Sequence, residues 1–110
     1  MTDKTGIELI LKNLNFRVPE IEASAVVTRD GLMVASVLKD QAEPERLAAM
    51  CAALLGLADT AAAELQRGVL LLVHIGDGYV LAISANPDIR LGSVLVEAKQ
   101  TAMKIESKVK

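Results

Sequence analysis

Aromatic rings are what this chain has least of: Phe16 and Tyr79 are its only phenylalanine and tyrosine, and it has no tryptophan. So few rings leave little on which a nucleobase or a flat cofactor would stack. There is one cysteine, Cys51, so no disulfide can form within the chain. There is one histidine, His74. Neither the four ligands of a structural zinc site nor the three of a catalytic one occur at recognisable spacing. Every serine or threonine proposed as a nucleophile would have to share that one imidazole, so no Ser/His/Asp set can be assembled. The sequence offers no catalytic residues, no metal ligands and no cofactor-binding motif. His74 reads as a sheet histidine and Cys51 as a small apolar residue of a helix.

Strong charge of one sign is also missing. The net charge is -2, with acids and bases interspersed. No basic patch tracks a phosphate backbone, which disfavours nucleic acid as a partner. Gly76-Asp77-Gly78 superficially resembles a phosphate-binding loop, but it joins two apolar runs, and no helix follows to offer its N-terminus to an anion. No apolar run reaches the ~18 residues of a membrane span. The longest candidate, Leu47 to Leu65, is interrupted by Gly56, Asp59, Thr60 and Glu64. The first residues lack the charged-then-apolar pattern of a signal peptide. A cytoplasmic protein without membrane insertion is the expectation.

What the chain does have is aliphatic bulk. Hydrophobic residues make up 52% of its 110 positions, mostly Leu, Val, Ile and Ala. That length suits one domain, residues 1–110, with a core that needs no staples.

A first helix is expected over Thr5–Phe16, with Ile7, Ile10, Leu11 and Leu14 on one face. Val18-Pro19 stops it. Ala23–Thr28 and Leu32–Leu38 read as strands joined by a turn at Arg29-Asp30-Gly31, since Asp-Gly between apolar runs is a hairpin signal. Pro44 and Glu45 suit a helix start, and a long middle helix is expected from there to Gln66, ended by Gly68. Val69–Ile75 and Tyr79–Ala85 read as a second pair of strands. After a turn at Asn86-Pro87-Asp88, a last helix runs over Leu91–Ser107 with Leu91, Leu95, Ala98, Ala102, Ile105 and Val109 as its stripe. The order is α-β-β-α-β-β-α. It implies an α/β (α+β) fold with an antiparallel sheet of four to five strands and helices on both faces.

The middle segment is unusual. Read as a helix, it carries a large stripe, Leu47, Met50, Leu54, Leu57, Ala61 and Leu65, and a small one, Ala49, Ala53, Gly56, Thr60 and Ala63. At ~100° per residue the stripes lie roughly 130° apart. A helix apolar nearly all round must be covered nearly all round. One chain of this length lacks the material, so a second copy is the simplest cover. A dimer interface is therefore expected at Ala49, Ala53, Gly56, Thr60 and Ala63, although alanine is also simply a good helix former. Leu70 and Leu72 join that interface if Val69–Ile75 is a sheet edge, because an apolar edge strand invites pairing with its own copy. The polar rim Arg46, Asp59, Glu64 and Arg67 is either a partner-binding surface or solvated.

Three segments, in order, resemble the Roadblock family, which includes the dynein light chain of that name. Arg29-Asp30-Gly31-Leu32-Met33-Val34-Ala35-Ser36 looks like its "dG-l-ia-s" hairpin. Leu47-Ala48-Ala49-Met50-Cys51-Ala52-Ala53-Leu54-Leu55-Gly56 is similar to its alanine-rich middle helix. Asn86-Pro87-Asp88-Ile89-Arg90-Leu91-Gly92 is similar to its "pdanlG" turn into the last helix. The resemblance covers nearly the whole chain. It implies a Roadblock-like (profilin-like) fold, and a homodimer whose sheets join edge to edge and whose middle helices pack together. It further implies a noncatalytic platform that docks a Ras-like small GTPase and modulates GTP hydrolysis without a catalytic residue of its own, as prokaryotic members do in motility and polarity. The family pattern has three strands between the middle and last helices, whereas Gly68 to Asn86 accommodates two. A pure scaffold for motor or cytoskeletal components and a small-molecule sensor are the competing readings.

Overall fold

The computed structural model describes residues 3–30, 32–38, 61–65, 68–85 and 90–109. Its elements run α1 (Lys4–Arg17), β1 (Ile21–Thr28), β2 (Met33–Leu38), β3 (Ala61–Leu65), β4 (Gly68–Ile75), β5 (Tyr79–Ala85) and α2 (Leu91–Glu106). Both helices and four of the five strands coincide with the expected segments to within two residues at each end.

The exception is β3. Its residues were expected to be the last turns of the middle helix, and instead they pair antiparallel with β4, Ala61 opposite Leu72 and Leu65 opposite Gly68. Gly68 therefore opens a strand instead of closing a helix. With β3 in place, a run of three strands, β3, β4 and β5, leads into the last helix, the number in the family pattern. The rest of the segment expected as the middle helix, from Pro44 and Glu45 onward, lies outside the described residues.

The five strands form one antiparallel sheet in the order β2-β1-β5-β4-β3. The first and last strands of the chain meet at its centre, Val26 opposite Leu81 and Ala25 opposite Ala82. Two tight turns lie together at one end. Thr28 and Leu32 close the β1–β2 turn through a backbone hydrogen bond, and the Thr28 hydroxyl donates to the Asp30 carboxylate and accepts from Leu32 N–H. The β4–β5 turn needs Gly76 at φ +58°, where a Cβ would be strained. Arg29 ties the two turns together by donating to the Asp77 carbonyl at 3.1 Å.

Both described helices lie on one face of the sheet and pack against each other. α1 is capped by Asp3, whose carboxylate accepts from Gly6 N–H at 3.0 Å. Any Cβ at Gly6 would collide with that carboxylate. α1 buries Ile7, Leu11 and Leu14. α2 buries Val94, Ala98, Thr101, Ala102 and Ile105, so its inner face is rotated from the expected stripe and Leu91 is exposed. These side chains close over Val26, Leu71, Val73, Ile75, Leu81 and Ile83 as one core. A second core, Ala23, Ala25, Val27, Leu70, Leu72, Val80 and Ala82, occupies the opposite face. Neither described helix contributes to it.

One hydrogen-bonded polar cluster is built into the first interface. Ser24 is wholly buried in β1 and donates to the Asn15 Oδ1 at 2.8 Å, while the Asn15 Nδ2 donates to the Val37 carbonyl at 3.3 Å. Asn15 thus pins α1 across β1 and β2. Removing it strands a buried hydroxyl, a loss of about 1–3 kcal/mol. Asn15→Ala should lower the urea unfolding free energy by about that amount, and the added Ser24→Ala should cost little more. Fully additive losses in the double-mutant cycle would show that the two groups do not act together.

Candidate interaction surface

A sheet with both faces buried can present its edges and the outside of its helix layer. The two edges differ. β2 carries an irregularity where Val27 faces Met33, and Asn15 reaches its Val37 carbonyl from α1. Bulges and covering contacts are the devices that blunt an edge. β3 pairs with β4 on one side, and among the described residues no strand occupies the other. It is five residues of regular strand, and among the described residues its outer row of alternating N–H and C=O groups meets no strand.

The expected site residues fall as follows. Ala63 and Glu64 lie on β3, opposite Leu70 and Val69 of β4, so they are strand residues of the open edge and not members of a helical stripe or rim. Leu70 and Leu72 lie on β4, which is paired on both sides, and they are 0% and 1% exposed within the single chain. β4 is therefore no sheet edge, and these two leucines belong to the chain's own second core. The edge role passes to β3. Ala49, Ala53, Gly56, Thr60, Arg46, Asp59 and Arg67 lie outside the described residues, as does Cys51. His74 is half-buried on β4 opposite Val80. Among the described residues, no group of three or more His, Cys, Asp and Glu is placed to hold a metal ion. Among them, too, no helix is long and apolar enough to cross a membrane.

One further feature lies outside the residues expected from the sequence. Exposed large apolar residues sit on the outer side of the helix layer: Leu9 and Phe16 on α1, Val96 and Met103 on α2. The signal was present as two apolar pairs seven residues apart on otherwise polar faces, outside the core-facing stripes.

This geometry defines a sheet-and-helix module whose distinguishing surfaces are an open strand edge and the outer side of a two-helix layer. A model of the Roadblock/LC7 domain matches residues 7–95, and the chain belongs to that family. Among curated relatives, the protein MJ1340 of Methanocaldococcus jannaschii is 32% identical, with 92% of this chain and 97% of the relative aligned. A Roadblock/LC7 domain from Streptomyces avermitilis superposes with a TM-score of 0.79 at 30% identity, covering 89% of this chain and 96% of that one. The gliding protein MglB of Thermus thermophilus shares the fold at a TM-score of 0.81 and 15% identity, covering 96% of this chain and 90% of its own.

The burial of Leu72 makes a simple test of the assigned roles. Leu72→Ala should destabilise the folded chain by about 2–5 kcal/mol in denaturant titration, because it opens a cavity in the second core. It should leave the molar mass of the folded species unchanged. A change of mass without loss of stability would return Leu72 to an interface.

Proposed function

We propose that this protein is a noncatalytic homodimeric platform that binds a Ras-like small GTPase and adjusts its GTP hydrolysis. Family membership supports a regulatory or scaffold role, and the single observation that carries the dimer is the open β3 edge. A strand whose outer N–H and C=O groups face no strand among the described residues would be completed by a second β3 related by a two-fold axis. The five-stranded sheet then becomes continuous across two chains. Ala63 and Glu64 fall at this junction, and the alanine-rich segment with Ala49, Ala53, Gly56 and Thr60 is its proposed companion. Arg46, Asp59 and Arg67, read from the sequence as a polar rim, are the proposed contacts to the GTPase, while Glu64 passes from that rim to the junction. The protein supplies a surface to the GTPase, so any effect on turnover runs through the conformation of the GTPase's own catalytic groups.

Immobilised protein should bind a small GTPase of the same organism more tightly in one nucleotide state than the other, and the GTP hydrolysis rate should change on saturation. The difference between nucleotide states is expected to be about fivefold or more, the usual range of coupling between two sites. Equal binding in both states, with unaltered hydrolysis, would favour the pure scaffold. Failure of every such GTPase to bind would remove the proposal.

A further inference from the structure

α1 and α2 run antiparallel. Asp3 at the start of α1 donates its N–H to the Lys108 carbonyl just past α2, and Arg17 at the end of α1 pairs with Glu97 at 3.3 Å. Each step along one helix is a step back along the other. This sets Leu9 level with Met103, and Phe16 level with Val96. At ~100° per residue, all four lie roughly opposite the buried faces of their helices. Their exposures are 61% for Leu9, 85% for Phe16, 56% for Val96 and 72% for Met103. Two apolar rungs therefore cross the helix layer about 10.5 Å apart, seven helical residues.

Scattered exposed apolar residues need no explanation, but four in register do. The charges around them are also one-sided. Lys12 and Lys99 flank the patch at the level between the rungs, each on the side away from the other helix, while Asn13 and Gln100 lie between the helices. The carboxylates of α1 and α2 lie off this sector: Glu97 is turned inward to Arg17, and Glu8 and Glu106 sit on the sides. An outward face on which the described residues place no carboxylate is notable in a chain with 14 acids and a net charge of -2.

We propose that the outer face of the α1–α2 layer is a second docking surface, and that it takes an acidic amphipathic helix of a partner protein. The heptad distance between rungs matches two apolar residues at i and i+7 of a helix laid along the layer. Lys12 and Lys99 match carboxylates on that helix's two flanks. A second copy of this chain fits poorly, because face-to-face packing would oppose lysines with lysines. The surface is the outside of the helix layer and not the β3 edge, so a β3-paired dimer would present it twice. It does not depend on the GTPase reading.

The test uses the full chain and a helical peptide of about 18 residues with leucines one heptad apart and glutamates on both flanks. Fluorescence anisotropy should give saturable binding with a dissociation constant at or below about 100 μM. Phe16→Ser with Val96→Ser, both at exposed positions, should weaken it about tenfold or more with the circular dichroism spectrum retained. Lys12→Glu with Lys99→Glu should weaken it about fivefold or more, and a lysine-flanked version of the peptide should recover that loss. Four results overturn the proposal: no saturable binding up to about 1 mM peptide, binding indifferent to the serine pair, binding indifferent to charge reversal, and tighter capture by phosphatidylserine vesicles than by the peptide.

Discussion

The constraint on which the rest depends is that β1, β4 and β5 are apolar on both faces. Leu71, Val73, Leu81 and Ile83 face the helices, while Leu70, Leu72, Val80 and Ala82 face the other way. A sheet of this kind is unstable as a surface layer and must be covered twice. One cover is supplied by α1 and α2, tied to the sheet by Asn15 and to each other by their packing and the Arg17–Glu97 pair. That ion pair lies at the surface and contributes little by itself, about 0–1 kcal/mol. The aliphatic contacts beneath it hold the layer.

Placing β1 beside β5 has a second consequence. The centre of the sheet is made from the two ends of the strand sequence, so β2 and β3 are left as edges. The β2 edge is blunted by its irregular register and by Asn15. The β3 edge has no such device among the described residues. Chain topology thus concentrates the open hydrogen-bonding capacity of the sheet at one strand, and the proposed dimer follows from that asymmetry.

Much of this was legible from residue order. The 3.6-residue spacing of Ile7, Leu11 and Leu14 marks α1, Asp30-Gly31 marks the first hairpin, and Gly76-Asp77-Gly78 marks the second. Each is a local signal that agrees with the tertiary structure. The β3 segment was not legible, for a physical reason. Ala61-Ala62-Ala63-Glu64-Leu65 is rich in the strongest helix formers and continues the apolar period of the preceding residues. Its strand state comes from pairing with β4, a tertiary gain that outweighs a propensity of tenths of a kcal/mol per residue. The same error carried into the interface. With the strand before Gly68 unseen, Val69–Ile75 looked like an edge, and Leu70 and Leu72 looked available. The inner face of α2 was also only partly legible: Val94 and Thr101 are buried while the more apolar Leu91 is exposed. The family itself was legible from three short segments, none of which reports whether a side chain is inside or out.

The measurement that bears most directly on the central claim is the mass of the chain in solution, by size exclusion with light scattering, for wild type, Ala62→Pro and Ala63→Pro. Successive strand residues turn their N–H groups to opposite sides, so one proline removes a donor to β4 and the other removes a donor from the open edge. The account predicts twice the 11.7 kDa chain mass for the wild type. For the edge-facing proline it predicts a single-chain mass with secondary structure retained. A wild type that elutes as a folded chain of 11.7 kDa at micromolar concentration would contradict it.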